Sequence, residues 1–348
     1  MSERQATPCR AVTVWLLFMA CAVAAMVSVG GITRLTGSGL SMVEWRPLIG
    51  WLPPLSEAEW HRIFALYRET PEFRQVNFAI DLDGFRAIFW WEYVHRLWGR
   101  LLGVFFILPL AWFWLRGRID RPLRPRLVLL LALGALQGLI GWWMVQSGLA
   151  DRPDVSAARL AVHLGMALLI FALLVWTALD RIHPRAGPRP LSAWLLLGLI
   201  AATIASGALV AGNNGGLIYN SFPLMGGELV PEDYRSDRSW VADALENPVA
   251  AQLHHRLLAM AALLAVVAAW LRAGGRRAAT AEHILLAAVL LQAGLGLAAL
   301  LAVVPLGLAA LHQFGAVLLL AAALLRTHGA IVPASIEFGN TDNRSTIQ

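Results

Sequence analysis

Apolar residues run in long stretches along this chain, and polar residues collect in the gaps between them. The stretches are about 18–25 residues long, enough to cross a hydrocarbon core of ~30 Å at ~1.5 Å per residue. They predict spans at roughly 12–33, 88–115, 127–148, 157–179, 191–212, 249–271, 282–303 and 308–326. In a bilayer a spanning segment must satisfy its own backbone, so each stretch is expected to be a helix. The expected fold class is therefore an all-α integral membrane protein with eight transmembrane helices. The first stretch is too long for a signal-peptide core, and its continuation through Gly30–Leu40 is echoed later in the chain, so it is expected to stay.

Composition agrees: 58% of the residues are hydrophobic and only 14% charged, too apolar for a soluble protein of this length. All 28 basic residues are Arg. Without a lysine amine, Schiff-base chemistry with retinal or pyridoxal phosphate is excluded. Cys9 and Cys21 are the only cysteines and form no CxxC motif. The net charge of +6 does not mark a nucleic-acid binder, because the arginines sit in short loops between spans.

Those loops alternate in charge. One set holds Arg4 and Arg10, then Arg116, Arg118, Arg121, Arg124 and Arg126, then Arg181, Arg185 and Arg189, then Arg272, Arg276 and Arg277. The other set, 34–87 and 213–248, is long and acidic. The positive-inside rule places both termini in the cytoplasm and the long loops outside. An even number of spans demands the same.

The chain also repeats itself. Glu92-Tyr93-Val94-His95-Arg96-Leu97 aligns with Gln252-Leu253-His254-His255-Arg256-Leu257. Leu136-Gln137 with Gly141 aligns with Leu291-Gln292 with Gly296, and Ala161-Val162-His163 with Ala310-Leu311-His312. Gly31 through Gly39 aligns loosely with Gly207 through Gly215. Two pseudo-symmetric four-helix bundles are expected, over 1–185 and 186–330, followed by a polar tail at 331–348.

The repeat puts His95, His163, His255 and His312 at equivalent depth, one pair in each half. A lone intramembrane histidine usually packs or hydrogen-bonds. Four in repeat-related pairs point to ligation, because ionisable groups at membrane depth are costly. Two imidazoles facing each other across a bundle can clamp a flat metal macrocycle, as in bis-imidazole haem ligation. Zinc would want Cys or carboxylate partners, and these pairs lack them except at Glu92. His254 and His255 point about 100° apart on a helix, and the His-Arg match selects His255 for the interior. His61, His183, His283 and His328 fall in loops or at span ends and need no special role. Glu92 shares a face with His95 by the i, i+3 relation, while the second half has Gln252 there. One half thus carries a candidate acid/base group and the other does not. Arg34, Arg96, Arg159 and Arg256 lie near the ligands and suit carboxylate recognition, haem propionates included.

At these residues the chain resembles the heme A synthase family in its proteobacterial and mitochondrial form. The matching segments are GGITRLTGSGLSMVEWRPLIGWLPP at 30–54, EYVHRLWGR at 92–100, RLAVHL at 159–164, SGALVAGNNGGLIYNSFPLMGG at 206–227, QLHHR at 252–256 and LHQ at 311–313. The resemblance implies oxidation of the C8 methyl of haem O to a formyl group, giving haem A for terminal oxidases. It also implies a resident haem b on His255 and His312, a substrate haem site at His95 and His163, and Glu92 as the essential carboxylate. Expected partners are the lipid bilayer, haem O, haem O synthase and an electron-transfer partner, with self-association into a homo-oligomer. The expected location is the bacterial inner membrane, with the haem sites toward the periplasm. One branch of the family carries a cysteine pair in the first outer loop; residues 34–87 hold none, so thiol-based electron delivery there is not available.

Two other functions compete. A di-haem b-type electron-transfer cytochrome would also use four histidines in two pairs, but the contrast of Glu92 with Gln252 argues for chemistry. A transporter would show broken helices and polar groups near the midplane, which these spans nearly lack.

Overall fold

The computed structural model describes residues 9–45, 50–150, 152–184, 188–236 and 238–329. The polar tail expected at 331–348 lies outside them. The eight apolar stretches form helices long and apolar enough to cross a membrane, so the chain is a multi-pass membrane protein. The N-terminal half uses α1 (Arg10–Leu35), α4 (Leu82–Leu115), α5 (Arg124–Leu149) and α6 (Ala157–Ile182). The C-terminal half uses α7 (Leu191–Gly212), α9 (Pro248–Arg272), α10 (Thr280–Leu301) and α11 (Leu306–His328). Three short helices lie in the long loops and were not expected from the sequence: α2 (Glu57–Arg68), α3 (Pro71–Gln75) and α8 (Trp240–Glu246). Their starts are nevertheless encoded. Ser56, Thr70 and Ser239 each accept a backbone N–H with their hydroxyl as N-caps. Among the described residues there is no β-strand.

In the N-terminal half α1 packs on α4 and α6, and α5 on α6 and, sparsely, on α4. In the C-terminal half α7 packs on α9 and α11, and α10 on both α9 and α11. The halves meet through α1 and α6 on one side and α7 and α11 on the other. Polar contacts among the described residues join them, three of them between or beside the helices. Arg34 donates to Ala211 O (3.0 Å) and Asn214 Oδ1 (2.9 Å). Gln313 donates to Val27 O at 2.7 Å, over a point where Gly31 leaves no room for a side chain. His328 meets Asp180 at 3.0 Å and lies edge-on to Trp176. His328 is fully buried, so the sequence reading that left it without a role is corrected. Pro109 lies inside α4 and cannot donate to Phe105 O. Trp15 of α1 fills the gap, donating its indole N–H to that carbonyl at 2.9 Å.

Candidate functional site

Each of the four repeat-related histidines lies against a glycine of a neighbouring helix. A Cβ added at Gly30 would come within 2.7 Å of the His95 ring, and one at Gly141 within 2.9 Å of His163. Gly207 is matched to His255 at 3.0 Å and Gly296 to His312 at 2.7 Å. Any side chain at these positions would displace an imidazole. The structural counterpart of Gly207 is thus Gly30, one residue from the loose sequence alignment. The repeated Leu-Gln motif also gains a purpose. Gln137 donates to His163 O at 3.1 Å and Gln292 to His312 O at 2.9 Å, fixing the helix that bears the histidine.

In the C-terminal half the His255 and His312 rings lie 6.4 Å apart, centroid to centroid, with planes at 83°. Two metal–imidazole bonds of about 2 Å each, plus the ring radii, span about that distance. His255 Nδ1 meets Ser206 Oγ at 2.9 Å and Thr203 O at 3.1 Å, contacts that orient the ring. His254 turns the other way and bonds Tyr234 OH at 2.9 Å, as the His-Arg match required. In the N-terminal half the corresponding pair is His95 on α4 and His163 on α6. Neither has a partner for its buried Nδ1. By the glycine match, Val29 and Met26 stand where Ser206 and Thr203 do, so His95 has no equivalent hydroxyl.

The donor chemistry fits an iron porphyrin. Among the described residues no group of three or more His, Cys, Asp or Glu could hold a bare metal ion. A porphyrin brings four nitrogens of its own and asks the protein for axial ligands only.

Glu92 is 3% exposed and fully engaged. Its Oε2 accepts from Ser41 Oγ (2.7 Å) and Met42 N (2.6 Å), and its Oε1 pairs with Arg96 one turn along. Arg96 also donates to Met42 O (2.7 Å) and Glu44 O (3.0 Å). The second half repeats this with a change of sign: Gln252 donates to Tyr219 O at 3.2 Å, and Arg256 to Tyr219 O (2.7 Å) and Ser221 O (2.9 Å). Glu92 and Gln252 thus each hold an outer loop on the helix that bears a histidine. The four arginines expected near propionates all donate to backbone carbonyls: Arg34, Arg96 and Arg256 as above, and Arg159 to Trp143 O at 2.8 Å.

Two residues near this site were not singled out in the sequence. Arg100 lies in α4 one turn inward of Arg96, where the second half has Met260. Its signal was available: a cation inside an apolar run. Glu72, on α3 in the first outer loop, is 7% exposed and accepts from Tyr67 OH at 3.0 Å. Burial pushes its pKa up to about 7; the Tyr67 hydrogen bond opposes the rise, and the charges of Glu92 and Asp154 add to it. Nothing in the sequence separates Glu72 from the exposed acids around it, since only the folding of α3 onto α5 buries it.

Comparison with known proteins places this architecture. The family described as cytochrome oxidase assembly protein matches residues 13–324, nearly the whole chain. The chain belongs to this family. Among its relatives, a heme A synthase of Rhodospirillum centenum is 48% identical over 327 residues, covering 91% of this chain and 87% of that protein. Heme A synthases of Maricaulis maris and Nitrosomonas eutropha are 47% and 45% identical, covering 92% and 90% of this chain and 96% and 92% of theirs. Both histidine pairs, Glu92 and the outer loop that holds it lie inside the span matched by the family.

Proposed function

We propose that this chain is a heme A synthase: an oxidoreductase of the bacterial inner membrane that converts the C8 methyl of haem O to a formyl group. One observation carries the reading: two repeat-related histidine pairs seated on glycines, with a buried carboxylate beside only one of them. His255 and His312 would hold a resident haem b, and His95 and His163 bind the substrate. Bound there, haem b supplies one-electron redox chemistry. Ser206 orients His255 for permanent ligation. Glu92 sits one helical turn from His95 and takes part in proton transfer, or stabilises positive charge, as the methyl carbon is oxidised. Ser41, Met42 and Arg96 fix the direction of its carboxylate. The arginine-rich loops lie at one end of the bundles and the acidic loops at the other, which supports cytoplasmic termini and haem sites toward the periplasm.

The test is to purify the protein from cells making haem O and identify the extracted haems by mass. Haem b together with haem A is expected. Two unmodified haems that persist through turnover would make the chain an electron-carrying cytochrome instead. His255→Ala should abolish the low-spin spectrum of the resident haem, and His254→Ala should preserve it.

A further inference from the structure

The two bundles differ on one side, the side away from their mutual interface. In the C-terminal half α9 and α10 pack against each other far more extensively than do α4 and α5 in the N-terminal half. The apolar window of α5 is also the least buried of the eight spans, 6% against 17% in α10. Because α1 and α6 form the contact with the other half, the loose α4–α5 seam faces the bilayer.

The two helices of this seam carry four glycines near their histidine contacts. Gly99 and Gly103 follow His95 at i+4 and i+8, and Gly103 lies on the side of α4 away from Trp98, whose indole reaches α1 at Ala22 O (3.0 Å). Gly134 and Gly138 precede Gly141, the glycine that seats His163. A side chain added at Gly103, Gly134 or Gly138 would meet no atom within 4 Å, and one at Gly99 only the tip of Met26. Glycines in a membrane helix often allow a neighbouring backbone to approach closely. These do not, since the space beside them is open. The repeat offsets set Ala259, Leu263, Val289 and Ala293 at the same four places in the C-terminal half. There Val289 is 4% exposed in the core and Leu263 packs against it. At two of these places, 263 and 289, the C-terminal half carries bulky side chains where Gly103 and Gly134 stand beside open space. Next to it His95, half-buried, has a buried Nδ1 without a partner. The outer mouth of the seam is bridged by the chain around Met42–Trp45. Arg96 pins this segment to α4, and Trp45 packs on Trp142 of α5 at 5.4 Å.

We propose that the α4–α5 seam is the lateral portal through which the iron-porphyrin substrate passes between the bilayer and the His95–His163 site. The proposal rests on the N-terminal half being the substrate half. The chemistry matches: an amphipathic, flat and largely apolar molecule dissolved in the membrane reaches a buried site most directly through a gap between helices. A resident haem needs no such gap, and the C-terminal bundle has none of comparable looseness.

The experiment grafts the closed half onto the open one. Gly103→Leu with Gly134→Val introduces the residues found at 263 and 289, into space that accepts them. Full-length protein in lipid nanodiscs is loaded with ferric protohaem, and its transfer to excess apomyoglobin is followed by absorbance. Wild type should show one fast and one slow phase. In the graft the fast phase should slow by about tenfold or disappear, with the slow phase unchanged, as expected for a blocked access step. Ala135→Leu, on the exposed face of α5, should leave both phases alone. Should the graft fail to assemble, Gly99→Ala with Gly138→Ala inserts only methyl groups and should still slow the fast phase. Wild-type exchange in an assembled graft would overturn the portal, as would faster exchange confined to Trp45→Ala, which would move access to the outer mouth. Because exchange is read without turnover, a seam-dependent fast phase in a protein that makes no haem A would uphold the portal and refute the proposed reaction.

Discussion

The N-terminal half holds Glu92, Gly99, Arg100 and Gly103 on α4 where the C-terminal half holds Gln252, Ala259, Met260 and Leu263 on α9. The shared frame is the histidine on its glycine, the glutamine on the next helix, and the arginine that ties the outer loop down. What differs is charge, space and hydrogen bonding around the ring. The C-terminal half spends its side chains on closure, with Leu263 and Val289 in the core and Ser206 on His255. The N-terminal half leaves His95 Nδ1 unpartnered and its seam open. On the proposed function, a scaffold that grips one ligand permanently is loosened at a few positions to exchange another, without moving the histidine pairs.

The outer loops differ in the same sense. Asp243, in the second loop, is held below its ordinary pKa, first by Ser236 and also by Arg235. Glu72, in the first, is held well above it by burial.

The sharpest way to break the comparison is Glu92→Gln, which gives the N-terminal half the residue of its partner. Losing a general acid/base costs about 10²–10⁴ in rate, so haem O should accumulate while the resident haem spectrum persists. Near-normal haem A at equal protein level would reduce Glu92 to a loop anchor like Gln252.

The two arginines should separate next. Arg96→Ala leaves Glu92 buried without its counter-ion, a loss of about 3–5 kcal/mol. Arg256→Ala takes the donor from Ser221 O and leaves Tyr219 O to Gln252 alone, a loss between neutral groups that costs about 1–3 kcal/mol. Melting temperatures of the purified variants should rank Arg96→Ala below Arg256→Ala; equal values would mean that the Glu92 charge adds nothing to the first loop.

The pH dependence of stability probes Glu72. Its pKa is raised from 4.5 to about 7 in the folded protein. It therefore stabilises the fold most below about 4.5, and that contribution is lost as pH rises through about 7. The full change is up to ~3 kcal/mol, from ~1.4 kcal/mol per unit. Glu72→Gln should flatten stability between those limits, and an unchanged pH profile would count against burial as the cause.

The smallest effect is expected from Gln252→Glu. Arg256 lies four residues on and can pair with the new carboxylate, as Arg96 does with Glu92. The resident haem spectrum should be unchanged, and its loss would show that the second half does not tolerate the charge of the first.

Much of this protein was determined along the chain itself. A span needs about 20 apolar residues whatever it packs against, so eight helices were legible with ends off by a few residues. The histidine pairs were legible because the repeat compares each half with the other, and His255 was separated from His254 by the same match. The alternation of Arg with acidic loops marked the two ends of the bundles. Tertiary structure alone decided which polar residues are buried and which gaps stay open. Glu72 becomes buried when α3 folds against α5, and His328 when α11 docks on α6. Gly99, Gly103, Gly134 and Gly138 read as ordinary membrane-helix glycines until the distance between α4 and α5 is known. Burial and emptiness are properties of pairs of elements, and hydropathy along one element carries no information about how closely its neighbour approaches.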